Sequence, residues 1–388
     1  MLKIVVDATP FGTTPSGVGL YVFNLIRNLH ALQEHQDDFE LFIAYQPRLK
    51  NWCLRDLSYP NGLKKYPNLY LVPIPVRFSN LFLSISPHRF SDYLERYVGS
   101  PDLVHGTNHS VYPCKSSRKV MSIYDLTFLK YPSYVDSVAK KYKNYVKRCL
   151  QWTDLVITIS KNSKKDIVEY LKVDPTRIYV TPLASRYYPD YLPEELAVQP
   201  QTSNEYDFSK PYLLFVSTLE PRKNITSLIT AFNLLKQEYE IEHHLVIIGQ
   251  KGWGYESIFS AIKSSTWERQ IHHLDYLSDE MVALFYSKAD VFVYPSHYEG
   301  FGLPVLEAMT LGAPVITSNT SSLPEVAGDA ALLVDPNDPT DLAEAILKVI
   351  SDSQFRRELI QKGKERAKLF SWERTAKETL KAYKSLLA

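Results

Sequence analysis

Two carboxylates, Glu299 and Glu307, lie within one short segment, Tyr294-Pro-Ser-His-Tyr-Glu-Gly-Phe-Gly-Leu-Pro-Val-Leu-Glu-Ala-Met309. It reads as the end of a strand, a loop with two glycines, and a helix opened by Pro304 at a first-turn position. Glu299 then precedes the helix start, and Glu307 lies about one turn inside. One carboxylate could reach a sugar ring held against that start while the other accepts ribose hydroxyls. The alternative is that Glu299 caps the helix and Glu307 is a first-turn dipole partner. A second segment, Leu214-Phe-Val-Ser-Thr-Leu-Glu-Pro-Arg-Lys-Asn224, repeats the plan and carries Arg222 and Lys223 on its turn. Two such cations could neutralise a diphosphate by charge-assisted hydrogen bonds without magnesium; otherwise they are solvated surface.

Glycine is scarce, at 14 in 388 residues, and seven of them fall in three loops: Gly17 and Gly19; Gly249, Gly252 and Gly254; Gly300 and Gly302. Each loop follows a predicted strand and could open a helix, where free backbone N–H groups and the helix dipole favour an anion such as a diphosphate. Ordinary βα turns are the alternative. His105 and His109, in Val104-His-Gly-Thr-Asn-His109, are candidates to line a cleft, or structural histidines at a strand end.

The elements that must position these groups are legible as short apolar, β-branched runs between helical patterns. Lys3–Asp7, Glu40–Ala44, Leu69–Val72, Val120–Tyr124 and Leu155–Ile159 form one set; Tyr212–Val216, His244–Ile248, Val291–Tyr294, Pro314–Thr317 and Ala331–Val334 form another. Two α/β domains with parallel sheets are predicted, at 1–187 and 211–371, joined by a proline-rich polar linker over 188–210. A ligand site is expected in the cleft outside the carboxyl ends of their strands. A last helix over 372–388, capped by Ser371, places Trp372, Ala376, Leu380, Tyr383 and Leu387 on one stripe.

With 45% hydrophobic and 22% charged residues and a net charge of +1, the composition is that of a soluble globular protein, with nothing that asks for nucleic acid. Cys53, Cys114 and Cys149 form no C-x-x-C pair, which predicts a reduced compartment and no structural metal. No leader pattern opens the chain and no run approaches the ~18 apolar residues of a membrane span, so a cytoplasmic location is expected. In 139–150, an apolar stripe of Tyr142, Tyr145, Val146, Cys149 and Leu150 runs beside Lys140, Lys141, Lys143, Lys147 and Arg148. Such a helix could lie peripherally on an anionic membrane and present a lipid-linked acceptor; the plainer reading is a buried stripe with a solvated face.

The segments Phe215–Asn224, Gly249–Gly254 and above all Pro295–Pro336 resemble the retaining glycosyltransferases of family 4. The resemblance rests on Glu299-x7-Glu307, Gly312-Ala-Pro-Val-Ile-Thr-Ser-Asn319, Leu323-Pro-Glu-Val-Ala-Gly-Asp329 and Leu333-Val-Asp-Pro336, in the family's order. It implies a GT-B fold, two Rossmann-like domains about a central cleft, with the last helix crossing back to the first, acceptor-binding domain. It implies that Glu299 lies at the donor sugar, that Glu307 binds the ribose, and that the backbone at Phe301, Gly302 and Leu303 holds sugar hydroxyls and phosphate. Lys223 matches the family's lysine on the leaving diphosphate. Thr218 stands at the arginine position, after Ser217 where glycine is usual, which makes Arg222 the candidate to compensate. In the first half Gly17 and Gly19 resemble the loop approaching the donor phosphate, and Tyr124-Asp125-Leu resembles a His-Asp-Leu loop with tyrosine in place of histidine, which makes Asp125 a catalytic candidate and Tyr124 a candidate to line the acceptor cleft.

On that resemblance no cofactor or metal is expected, and transfer proceeds without a protein nucleophile. A hexose, best taken as mannose from GDP-mannose, would pass from a nucleotide diphosphate sugar to a glycan or lipid-linked acceptor. The rivals are a UDP-glucose-type enzyme of the same fold and a non-catalytic nucleotide-sugar-binding subunit. Glu299→Ala is expected to leave folding intact and cut turnover by orders of magnitude.

Overall fold

The structure is a computed structural model that describes all residues except 12–16, 37, 77, 80–94, 96, 136, 190, 192–205 and 388, and leaves the side chains of 137–141 undescribed. It divides into two compact units, one comprising Met1–Lys130, Ser137–Leu183 and Ser371–Ala388, the other Tyr131–Asp136 and Ala184–Phe370.

The first unit holds a seven-stranded parallel sheet of β1 (Leu2–Asp7), β2 (Phe39–Tyr45), β3 (Leu69–Leu71), β4 (Leu103–Gly106), β5 (Arg118–Ser122), β6 (Leu155–Thr158) and β7 (Ile178–Val180). Their order is β3-β2-β1-β4-β5-β6-β7, with β1 paired in register to both β2 and β4. Strands such as Leu103-Val-His-Gly106 and Leu155-Val-Ile-Thr158 are buried along their whole length, as a sheet covered on both faces requires. The sheet order reverses between β1 and β4, so the crevice at their carboxyl ends is the topological switch point.

The second unit holds six parallel strands, β8 (Tyr212–Val216), β9 (His244–Ile248), β10 (Ile271–Leu274), β11 (Val291–Tyr294), β12 (Val315–Ser318) and β13 (Ala331–Val334), in the order β10-β9-β8-β11-β12-β13. Its switch point lies between β8 and β11, the two strands whose turns carry Lys223 and Glu299. β4, β7 and β10 were not among the predicted runs. β10 reads Ile-His-His-Leu, and its two central histidines break the apolar run that marks the other strands.

The first unit ends at Leu183 rather than at 187, because Arg186 and Tyr187 bond within the second unit: Arg186 to Glu307, and the Tyr187 hydroxyl to the Asp279 carbonyl at 3.1 Å. Tyr131 and Tyr134 also belong there, their rings 5.3 Å from Tyr298 and 5.8 Å from His297. Of the predicted linker, 190 and 192–205 lie outside the described residues.

The C-terminal helix, Trp372–Ser385, joins the first unit. Ser371 Oγ caps it, accepting from the Arg374 amide at 3.1 Å. Ala376, Leu380 and Tyr383 are buried, whereas Leu387 lies beyond the helix end and is exposed. The Tyr383 hydroxyl meets His105 Nδ1 at 2.6 Å, and His105 Nε2 meets Ser122 Oγ at 2.8 Å. His105 is therefore not a cleft residue: it is fully buried on β4 with both ring nitrogens committed.

Burial pulls the His105 imidazole down from 6.5 to about 3. A depressed folded-state value gives stability that is present above the unfolded value and lost as pH falls toward the folded one. From this group the first unit is expected to lose about 2 kcal/mol between pH 7 and pH 5. Denaturant unfolding at the two pH values, compared with His105→Gln, isolates this contribution; an equal loss in the variant would assign it elsewhere.

In the helix Ser137–Leu150, Val146 and Cys149 are fully buried and Tyr142 and Tyr145 are half-buried. Part of the apolar stripe thus packs inward; the side chains of Lys140 and Lys141 lie outside those described. Among the described residues no helix is long and apolar enough to cross a membrane. All three cysteines are free, Cys53 exposed and Cys114 and Cys149 buried.

Candidate active site

After β8 the chain makes a short 3-10 turn, Pro221–Lys223, before the helix Ile225–Tyr239. Asn224 sits between them in the left-handed region, and its side-chain amide donates to the carbonyls of Pro295, at 3.1 Å, and Pro336, at 2.6 Å. The His297 amide donates to the Arg222 carbonyl at 3.0 Å. These bonds clamp the cationic turn onto the loop after β11.

Across that clamp Lys223 Nζ donates to Glu299 Oε1 at 2.7 Å and Arg222 Nη1 approaches Glu299 Oε2 at 2.9 Å. The Tyr294 hydroxyl lies 2.7 Å from Lys223 Nζ and 3.0 Å from Glu299 Oε1. Lys223 and Glu299 are 6% and 8% exposed, so neither is solvated surface, and the Glu299 carboxylate serves cations instead of capping a helix. Burial opposes ionisation of Glu299, but Arg222 and then Lys223 outweigh it and hold the carboxyl down at about 2. Burial and the adjacent Arg222 push Lys223 below the ordinary lysine range, with Glu299 opposing. Arg222 Nη2 also lies 3.4 Å from Glu220 Oε2, so two cations and two carboxylates balance in the cluster, with the charge-assisted donors Arg222 and Lys223 gathered on Glu299.

Gly302, with φ 110°, opens the helix Leu303–Thr310; a Cβ there would lie 2.8 Å from Leu323 Cδ2. Phe301 is buried, and the amides at the helix start precede any intrahelical partner. Inside this helix Glu307 is 1% exposed, with Oε1 2.6 Å from Arg186 Nε and Oε2 3.4 Å from the Tyr286 hydroxyl. Burial raises the Glu307 carboxyl and Arg186 counteracts it. Arg186, also 3.0 Å from Asp279, was missed in the sequence because it falls where periodicity ends; its only signal was a lone cation before the linker.

Gly249 is not a phosphate-binding amide. Its N–H donates to the Leu274 carbonyl at 2.9 Å, and at φ 150° a Cβ would stand 1.9 Å from the Ser217 carbonyl oxygen. The Leu219 amide donates to the Gln250 carbonyl at 2.9 Å and the Gly252 amide to the Leu219 carbonyl at 3.0 Å, which zips the two loops together. Glycine there lets one loop approach another. Gly249→Ala is expected to cost roughly 1–3 kcal/mol of strain, read as a lower denaturation midpoint; an unchanged midpoint would mean the loops part freely. Thr218 is exposed beside this junction.

In the first unit, Gly17 opens the helix Gly17–Gln33 and Gly19 is buried in its first turn; 12–16 lie outside the described residues. Asp125 Oδ1 accepts from the Thr127 amide at 2.9 Å and hydroxyl at 2.8 Å, which ties it to the first residue of Thr127–Lys130. Tyr124 is buried and its hydroxyl donates to the Thr107 carbonyl, so it too is structural rather than cleft-lining. His109 keeps a buried Nδ1 with no partner among the described residues, its ring 5.4 Å from Tyr124 and 5.8 Å from Tyr142. Burial lowers its pKa, against the pull of Asp125. Among the described residues no group of three or more His, Cys, Asp or Glu gathers at metal-ligand distance.

Two Rossmann-like units built on parallel sheets are the architecture of the GT-B fold. The family models described as Glycosyltransferase Family 4 and Glycosyl transferases group 1 match residues 15–184 and 199–366. The O-antigen chain mannosyltransferase B of Escherichia coli is 32% identical over 392 residues, covering 99% of this chain and 100% of that relative. The chain belongs to family 4 of the GT-B glycosyltransferases. An MMP alpha-(1->4)-mannosyltransferase of Mycolicibacterium hassiacum is 29% identical over 62% of this chain and 56% of its own length. Among solved structures, a sucrose-phosphate synthase from Thermosynechococcus elongatus superposes with a TM-score of 0.74 at 21% identity, over 100% and 99% of the two chains. HepE from Anabaena, in complex with UDP and glucose, does so with 0.71 at 14%, over 99% and 100%.

Proposed function

We propose that this glycosyltransferase moves a mannosyl residue from GDP-mannose to a growing surface glycan, with retention at the anomeric carbon and without a metal ion. The observation that carries transfer is the buried Glu299 held between Lys223 and Arg222 at the switch point of the second unit. Mannose is supported by the printed names of the Escherichia coli and Mycolicibacterium relatives, both mannosyltransferases. In the step, the acceptor oxygen bonds to the donor anomeric carbon on the face from which the diphosphate departs, and a diphosphate oxygen takes the acceptor proton. Lys223 and Arg222 meet the charge that grows on the diphosphate, Glu299 orients the sugar, and Glu307 accepts from the ribose hydroxyls.

The test is release of nucleoside diphosphate from a panel of GDP- and UDP-sugars, with and without EDTA. GDP release from GDP-mannose, undiminished by EDTA, is the expected result. Turnover of UDP-glucose alone would replace the donor, loss on chelation would restore a metal, and donor binding without turnover under any acceptor would favour a binding subunit. The linkage formed, read by NMR, checks retention.

A further inference from the structure

The stretch between Lys130 and Ser137 leaves the first unit, and Tyr131–Asp136 packs within the second. Pro132 opens a 3-10 turn over Pro132–Tyr134, closed by the Tyr134 amide donating to the Tyr131 carbonyl at 2.9 Å. In such a turn side chains three residues apart eclipse. The rings of Tyr131 and Tyr134 therefore stack, 5.5 Å apart and 18° from parallel. Both then meet the loop before Glu299: the Tyr134 ring lies 5.8 Å from that of His297 at 19°, and the Tyr131 ring 5.3 Å from that of Tyr298 at 50°. Pro132 and Ser133 between them are exposed, so the turn meets the second unit through its rings.

The two loop residues held in this way are the two that hold Arg222. The His297 amide donates to the Arg222 carbonyl at 3.0 Å, and Arg222 Nη1 donates to the Tyr298 carbonyl at 2.6 Å. The same Nη1 lies 2.9 Å from Glu299 Oε2. His297 thus fixes the arginine's main chain and Tyr298 its guanidinium, each with one tyrosine of the turn against it. A guanidinium is a rigid fork of donors, so the acceptors it already satisfies decide where the remaining N–H groups point. The Glu299 backbone is tied separately: its amide donates to Ser321 Oγ at 3.1 Å and its carbonyl accepts from Ser322 Oγ at 2.8 Å. Loss of the ring contacts would therefore free Arg222 before it moved Glu299.

We propose that Tyr131 and Tyr134 are positioning residues that aim the Arg222 guanidinium at the donor diphosphate through Tyr298 and His297. The proposal rests on the reading of Arg222 as a partner of the leaving diphosphate. The terminal phosphate carries more charge in the free nucleoside diphosphate, and in the transition state, than in the sugar donor. A loosened Arg222 should therefore weaken the first two more than the third. The experiment compares Tyr134→Leu and Tyr131→Leu with Tyr134→Phe and Tyr131→Phe in the full chain. It reads calorimetric affinity for GDP and for UDP, and kcat and KM for the matching sugar donor. In the leucine variants the nucleotide that binds the parent is expected to bind roughly 3–10-fold more weakly, the worth of one aromatic pair. The kcat should fall by a similar factor while donor KM moves little, the mark of a contact made in the transition state. Phenylalanine keeps the ring and should restore parent values. In an Arg222→Gln background the leucine changes should have no further effect, because the group they act through is gone. Unchanged nucleotide affinity in both leucine variants, an equal loss with phenylalanine, or a loss that persists in the Arg222→Gln background would overturn the positioning role. Ring-dependent nucleotide affinity without turnover of any donor would leave it standing and overturn the transferase reading instead. Failure of the parent to bind either nucleotide would overturn both.

Discussion

Glu299→Gln is expected to lower turnover about 10²–10³-fold, the loss that follows removal of one preorganised electrostatic contact from a transition state. The same change acts on stability. Both carboxylate oxygens are engaged, by Lys223 at 2.7 Å and Arg222 at 2.9 Å, and breaking a buried pair costs about 3–5 kcal/mol because the surviving charges lose their partner. The sequence-based expectation that Glu299→Ala leaves folding intact is therefore revised: alanine removes both oxygens and the second unit should melt earlier. Glutamine keeps one acceptor and is the cleaner probe. A nucleoside diphosphate is expected to restore more stability to Glu299→Gln than to the parent, since it brings negative charge to the bared cations. Donor kcat and KM with denaturant melts, with and without GDP, check all three points. A wild-type kcat would remove Glu299 from the chemistry, and an unchanged melt would remove it from the charge network.

The pH dependence of that network has a definite sign. Glu299 is held at about 2, so its stabilisation is present above its unfolded value near 4.5 and is lost as pH falls toward 2. Lys223 is lowered as well, which costs stability at neutral pH and is relieved as pH rises toward its unfolded value of 10.5. Burial opposes both charges; at Glu299 it is outweighed by Arg222 and Lys223, whereas at Lys223 burial and the neighbouring Arg222 outweigh Glu299 and Glu220. The pair as a whole is worth less than the carboxylate alone would suggest.

Much of this site was legible because its residues fall at punctuation. Pro304 and Gly302 mark a helix start, Glu299 precedes it, Glu307 follows a turn later, and the structure keeps that spacing. What the sequence could not show was who meets whom. Nothing local tells that Arg222 and Lys223 close on Glu299, since they come from separate strand ends brought together where the sheet order reverses. The reading of Gly249 failed for a related reason: a glycine required by an approaching loop and a glycine required by an approaching phosphate look alike in one dimension. His105 and Tyr124 were misplaced because polar atoms at strand ends can be satisfied by a distant helix or carbonyl, here Tyr383 and Thr107.

Arg186 carries the other large effect. Glu307 is almost fully buried, and burial alone would favour its protonated form; the guanidinium 2.6 Å away is what keeps it an acceptor. Arg186→Met leaves the methylene stem and removes the charge, so Glu307 should gain a proton near neutral pH. A protonated carboxyl has lost half its capacity to accept from a ribose. Donor KM is then expected to rise roughly 10–100-fold, the worth of a charged hydrogen bond, while kcat changes little because the ribose is remote from the bond that breaks. The decisive observation is the pH profile. In Arg186→Met, donor KM should fall again as pH is raised, because alkaline solution ionises the buried Glu307; the parent should show no such recovery. Glu307→Gln should raise KM equally and abolish the pH dependence, with or without Arg186→Met. A KM that rises in Arg186→Met but stays flat with pH would mean that Arg186 contacts the donor itself instead of acting through Glu307.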